Sequence, residues 1–250
     1  MGWNIVATMR RPDPTLFTAG DDLLIARLDV EDAASIEDAI EAGMARFGGI
    51  DVLINNAGFG LFGIFEGTPR DRIRQQFDVN LFGVMDVTRA VLPHFRAQGS
   101  GLIVNVSSGA GVFTLPMMSL YCASKFALEG FSEALSYELA TQNIGLKVIE
   151  PGGVVSTNFG ARSGSEAGQV AQISDYNGVI AATGKLFDGL RTMATATEPD
   201  VAAAIYAATT DGTDQLRYVV TDDIKPLIAA RRTTSEAEYI AFMRSRFMPV

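Results

Sequence analysis

The sequence predicts an α/β fold, a doubly wound parallel sheet with helices on both faces, and three observations predict it. Short apolar runs alternate with longer stretches of helical periodicity along the whole chain. The runs are continuously apolar rather than alternating, as strands buried on both sides are. Polar and glycine residues gather just after the runs, at the rim where open parallel sheets bind ligands.

The first strand is expected over residues 4–9 and is followed by Arg10-Arg11; the second, over 23–28, ends at Asp29. Asp32 caps a helix to Phe47 that Gly48-Gly49 closes. A strand over 51–54 leads into Asn55-Asn56-Ala57-Gly58. Thr68-Pro69 supplies a cap and a first-turn proline for a helix to about Gln98. A strand over 102–106 ends in Ser107-Ser108-Gly109, and a helix follows over 119–142. A strand over 146–150 ends in Pro151-Gly152-Gly153. Shorter helices over 202–209 and 235–246 flank a last strand over 217–221. Residues 163–177, rich in Gly, Ser and Gln, read as a mobile loop. No repeat or linker divides the chain, so residues 1–250 read as a single domain.

Composition narrows the function. With 48% hydrophobic and 20% charged residues the chain has material for a large core and is too apolar for disorder. A formal charge of −9 with no basic stripe argues against nucleic acid and anionic membranes as partners. No apolar run reaches the ~18 residues of a membrane span, and no basic-then-apolar signal opens the chain. The single cysteine, Cys122, forms no internal disulfide, which fits a cytoplasmic setting. One cysteine and one histidine cannot build a structural zinc site. A Ser-His-Asp hydrolase would have to use His94, which sits at a polar helix end and reads as solvent-facing.

The chemistry concentrates in Ser108 and Tyr121-Cys122-Ala123-Ser124-Lys125. Positions i and i+4 share a helix face, so an ammonium stands beside a phenol. A neighbouring cation favours the ionised form of a tyrosine, which otherwise titrates near ~10. The pair is suited to proton exchange at an alcohol or carbonyl, and Ser108 to hydrogen-bonding that oxygen.

Together with Asn55-Asn56-Ala57-Gly58, Asn80 in Phe77-Asp78-Val79-Asn80, residues 103–108 and Pro151-Gly152-Gly153-Val154, this set resembles the short-chain dehydrogenase/reductase family. The resemblance runs through nearly the whole chain and implies a Rossmann-like fold with NAD(P)-dependent alcohol/carbonyl chemistry. It implies Tyr121 as general acid/base and Ser108 as the residue that orients the substrate oxygen, with Ser107 the alternative. Lys125 would bind the cofactor ribose and tune the tyrosine, and Asn80 would hold a relaying water. Asn56, Ala57, Gly58, Pro151, Gly152 and Val154 would line the cofactor. Met9-Arg10 stands where NAD-preferring relatives carry Asp and resembles the 17β-hydroxysteroid-dehydrogenase-like branch. Arginine favours a 2′-phosphate, so NADP(H) is expected over NAD. Asp29 and Val30 would meet the adenine.

The family pattern opens with a strand, a T-G-x-x-x-G-x-G turn and a helix, and none of these precedes residue 4. The expectation is a fold missing its first strand, glycine-rich loop and first helix, with an internal start codon as the favoured origin. Gly58-Phe59-Gly60-Leu61-Phe62-Gly63 fits G-x-G-x-x-G but does not open a helix, so it reads as a rim loop. The alternative function is a non-catalytic binding or regulatory protein. The substrate wall would include Phe59, Leu61, Phe62, Gly109-Ala110 and 115–118, which suits a hydrophobic alcohol or carbonyl compound. Helices 68–98 and 119–142 resemble those through which the family forms homodimers or homotetramers.

Overall fold

A computed structural model describes residues 2–18, 20–154, 159, 171, 173–193 and 195–248. Most of the 163–177 segment, expected as a loop, lies outside the described residues.

Every strand pair is parallel. β1 (Ile5–Met9) pairs with β2 (Leu23–Arg27), Ile5 opposite Leu23 and Met9 opposite Arg27. β3 (Val52–Asn55), β4 (Gly101–Val106), β5 (Ile144–Glu150) and β6 (Arg217–Val219) form a second ladder in that order. The helices are α1 (Ala33–Phe47), α2 (Arg70–Phe77), α3 (Gly83–Gln98), α4 (Ser119–Ala140), α5 (Asn177–Met193), α6 (Glu198–Thr210), α7 (Lys225–Thr233) and α8 (Glu236–Phe247).

The continuous apolar runs are explained by burial on both sides of the sheet. Ile103 of β4 and Leu146 and Val148 of β5 pack with α1, α3 and α4 around Ile36, Val91, Phe95 and Leu139. The intervening Val104 and Ile149 face the other way, onto Ala208 and Ile205 of α6. Successive strand residues point to opposite faces, so a strand buried on both has no polar position to alternate.

Local signals set the helix ends. Asp32 caps α1 by accepting from the Ser35 N–H at 3.4 Å, and Gly48, at φ 80°, closes it in the left-handed region. The helix expected over 68–98 is in fact two helices joined by a π turn at Asp78–Phe82, which carries Asn80. Gly83 follows the turn, where a Cβ would stand 2.6 Å from Val30 Cβ; glycine is required by this close approach. Helices α5 and α7 were not evident in the sequence.

The expected loss of a first strand and first helix is corrected. The chain opens on β1, and its first helix, α1, follows β2. Residues 10–22 connect the two strands through a 3₁₀ turn that Asp13 caps. The glycine-rich stretch of the chain follows β3 rather than β1. Among the described residues no ladder joins β1 to β3. Ile5 and Ile54 are 50% and 46% exposed, and both border one cleft.

Candidate active site

The carboxyl ends of β1 to β5 deliver the unusual residues to one rim. β4 ends and hands on Ser107 and Ser108. The Ser108 hydroxyl accepts from the Ala110 N–H at 3.1 Å and caps a 3₁₀ turn at Gly109–Gly111, which fixes the serine at the strand exit. Tyr121 and Lys125 lie in the first two turns of α4, on one face. They are only 6% and 5% exposed, yet both border the cleft. Ser108 stands beside the Tyr121 hydroxyl and favours its ionised form. Lys125 Nζ donates to the Val106 carbonyl at 2.9 Å and stands 5.9 Å from the centre of the Tyr121 ring.

Burial governs the electrostatics of the pair. It pushes the Tyr121 hydroxyl up to about 12, against the lowering influence of Ser108. It pulls the Lys125 ammonium down to about 8, against the raising effect of Glu129. The expected acidification of the tyrosine by the lysine is therefore corrected. The dry pocket disfavours charge on both groups, and that outweighs their mutual attraction.

Asn80 stands one layer behind the rim and is fully buried. Its side chain donates to the Phe59 carbonyl at 2.9 Å and to Ser124 Oγ at 3.1 Å, and accepts from the Phe59 N–H at 3.0 Å. Its direct partners are thus the rim loop and α4, not Lys125. Ser124 in turn donates to the Tyr121 carbonyl at 2.7 Å. The π turn explains how a helix reaches both, since such a bulge redirects one side chain.

A second polar group, not anticipated from the sequence, ties the rim to the core. Asn55 donates to Asn105 at 2.9 Å and to Thr88 at 3.2 Å, and Asn105 donates to Ser132 at 2.9 Å. These four buried residues cross-link β3, β4, α3 and α4 beneath Asn56. Their signal was present as polar residues in otherwise apolar runs.

The cleft has a volume of about 3080 Å³, beyond the ~300–1,000 Å³ of an ordinary small-molecule site, and it takes in the gap between β1 and β3 bordered by Ile5 and Ile54. Arg10, Asp29, Val30, Asn56, Ala57, Gly58, Pro151, Gly152 and Val154 all border it, with Ser108, Tyr121 and Lys125. A smaller recess of about 690 Å³ is bounded by Arg10, Arg11, Arg27 and Asp29. Arg27 is held by Asp32 at 2.9 Å. Arg10 and Arg11 have no ion-pair partner among the described residues. These donor sets fit the two ends of a dinucleotide: cations and a carboxylate for the phosphorylated ribose end, and the Tyr121–Lys125 wall for the reactive end.

Two glycine segments behave differently from each other. A Cβ at Gly58 would stand 3.3 Å from Asn80 Oδ1 and 3.7 Å from Lys125 Nζ, so the rim passes tightly beside the lysine. Along the G-x-G-x-x-G stretch three of the six backbone donors are already engaged. Phe59 N–H goes to Asn80, Leu61 N–H to Gln76 at 2.7 Å and Gly63 N–H to the Met117 carbonyl at 2.9 Å. The next helix begins only at Arg70. This stretch is a rim loop, not a phosphate cradle. At Pro151-Gly152-Gly153 the amides are clamped by Thr221 and Asp223, each at 2.9 Å.

The apolar wall comes from Phe62, Ala110, Leu115, Met118 and Phe187, with Phe62 and Phe187 edge to face at 4.9 Å between ring centres. Phe59 also borders the cleft, whereas Leu61 is a core residue packed with Val79. Phe187 belongs to α5, a helix not anticipated from the sequence.

Residues 1–167 match the family model for short chain dehydrogenase. An uncharacterised oxidoreductase of Schizosaccharomyces pombe is 36% identical over 241 residues, which cover 95% of this chain and 99% of that protein. The structure of a short-chain dehydrogenase from Streptomyces avermitilis superposes with a TM-score of 0.76 at 28% identity, over 98% of this chain and 88% of the other. A short-chain dehydrogenase/reductase from Burkholderia phymatum, solved with NAD, superposes with a TM-score of 0.72 at 25% identity, over 92% and 80% of the two chains. Other solved relatives of this Rossmann-like fold hold NADP.

Proposed function

The chain belongs to the short-chain dehydrogenase family of NAD(P)-dependent oxidoreductases, and we propose that it interconverts an alcohol and a ketone or aldehyde on an apolar substrate, with NADP(H) as redox partner. The observation that carries this reading is the convergence of Ser108, Tyr121 and Lys125 on one cleft wall. When bound, the cofactor supplies or accepts the hydride.

The chain's own residues manage the proton. In the reducing direction Ser108 and Tyr121 hydrogen-bond the substrate carbonyl oxygen, and Tyr121 gives it a proton as the alcohol forms. In oxidation the proton returns to Tyr121. Tyr121 carries its proton at neutral pH, and a Lys125 ammonium beside it would favour the phenolate left behind. Asn80 orients the loop of Asn56, Ala57 and Gly58 against this wall. Phe62, Met118 and Phe187 exclude water and favour an apolar substrate.

Arg10 and Arg11, beside Asp29, support NADP(H) over NAD, because a free guanidinium matches a 2′-phosphate. Val30 would meet the adenine, and Pro151, Gly152 and Val154 the nicotinamide end. A homodimer or homotetramer is supported by Phe82, Phe126 and Tyr137, which are exposed on the π turn and α4. Among the described residues no helix is long and apolar enough to cross a membrane, and a cytoplasmic setting belongs to this reading.

A second reading, a non-catalytic binding or regulatory protein, is favoured by the break between β1 and β3 and by the engaged donors of Phe59, Leu61 and Gly63. The resemblance of Met9-Arg10 to the 17β-hydroxysteroid-dehydrogenase-like branch belongs to the first reading, with NADP(H). The two separate in one experiment, a panel of apolar ketones and alcohols assayed with NADPH and with NADH. Turnover favouring NADPH supports the enzyme; cofactor or partner binding with no turnover on any member supports the module.

A further inference from the structure

Lys125 is a buried cation whose nearest polar partner is a neutral carbonyl, and burial of that kind requires a compensating charge. One turn further along α4, on the same face, stands Glu129, itself 6% exposed. Its Oε2 accepts from Arg217 Nε at 2.9 Å, whereas its Oε1 is buried with no hydrogen-bond partner. The Ser107 hydroxyl is likewise buried and unpartnered, and it lies next to the same spot. A Cβ at Gly111 would stand 2.9 Å from both Glu129 Cγ and Ser107 Oγ and 3.1 Å from the Lys125 carbonyl.

Glu129 in turn belongs to a chain of charges leading away from the cleft. Arg217 also binds Glu133 at 2.5 Å and lies 3.7 Å from the fully buried Glu150, which Arg232 binds at 2.6 Å. Lys125, Arg217 and Arg232 thus balance Glu129, Glu133 and Glu150.

We propose that Glu129 is a positioning residue for the reaction, the anchored counter-charge that keeps the Lys125 ammonium ionised inside the dry wall of the cleft. Its role rests on the reading of Lys125 as a functional residue, but its effect on the lysine does not depend on turnover. The other groups facing Lys125 leave Glu129 alone in this part. Tyr121 on α4 is neutral across the working range, β4 presents Ser107 and Ser108, and the π turn presents Asn80. Arg217 contacts Glu129, Glu133 and Glu150, and Arg232 contacts Glu150; neither pairs with Lys125. The raising influence of Glu129 on Lys125 agrees with this arrangement.

The chain has four lysines, so lysine labelled at its side-chain carbons gives four NMR signals in the full-length protein, and the signal absent from Lys125→Met identifies residue 125. Each variant is titrated with pH. Glu129→Gln is expected to lower the Lys125 midpoint by about one pH unit or more, the usual effect of losing an adjacent opposite charge. Glu129→Met, with the same charge loss and a different polarity, is the second variant and is expected to do the same. Arg217 keeps Glu133 and Glu150 in both, so neither variant orphans it. A Lys125 midpoint unchanged from the native protein in either folded variant overturns the proposal. Because no substrate is used, this outcome is distinct from a failure of the assigned reaction.

Discussion

Replacing Lys125 by methionine is expected to stabilise the protein at neutral pH and to lose that advantage in alkali. The lysine's ordinary value of 10.5 falls to about 8 in the folded chain because of burial. At about 1.4 kcal/mol per tenfold, holding the charge at pH 7 costs about 3 kcal/mol. Methionine removes that cost, keeps the length of the stem and gives up a bond to the Val106 carbonyl worth about 1 kcal/mol. The net gain is about 2 kcal/mol at pH 7, or about 4–8 °C in Tm for a chain of this size. The sign of the pH dependence follows from proton counting. Between pH 8 and 10.5 the unfolded chain binds more protons at this lysine than the folded one, so native stability rises with pH there. By pH 9.5 the native protein recovers about 2 kcal/mol and the two proteins melt together. Tyr121 titrates above this window, because its folded value is about 12. Thermal melts of both proteins at pH 7 and 9.5 are the assay. A stability difference that stays constant with pH, or a Met variant that is the weaker at pH 7, refutes the claim that desolvation dominates the site.

Arg10→Ala is expected to weaken NADPH binding by about 10–100-fold, the loss of one charge-assisted bond, and to leave NADH binding nearly unchanged; fluorescence titration with each nucleotide reads both. Asn105→Ala leaves the Asn55 amide and the Ser132 hydroxyl buried without their partner and is expected to cost about 2 kcal/mol or more in denaturant melts. An equal loss of affinity for both nucleotides, or an unchanged denaturation midpoint, would count against those two assignments.

Much of this site was legible because strand ends are where a parallel sheet exposes its backbone turns. The residues after each apolar run, Arg10, Asp29, Asn56 and Ser108, could be assigned to one rim without coordinates. Tyr121 and Lys125 followed from helical spacing alone. The pair's electrostatics did not, because spacing reports proximity and says nothing of solvent. Asn80 was placed on a long helix, and the π turn that aims it at Phe59 left no mark in the apolar pattern. Glu129 was invisible for a related reason: a glutamate on a helix normally faces water, and only its contact with Arg217, 88 residues away, takes it inside. Helix α5 was hidden behind a glycine- and serine-rich approach, although its Phe187 closes the apolar wall.

The account stands on a phenol that passes a proton to a carbon-bound oxygen, and Tyr121→Phe removes that proton while keeping the ring. NADPH consumption by the native protein and by this variant, on the best ketone of an apolar panel, tests it most directly. The expected result is a fall in kcat of about 100-fold or more, the usual worth of a positioned general acid, with NADPH affinity retained. Undiminished turnover by Tyr121→Phe would contradict the account.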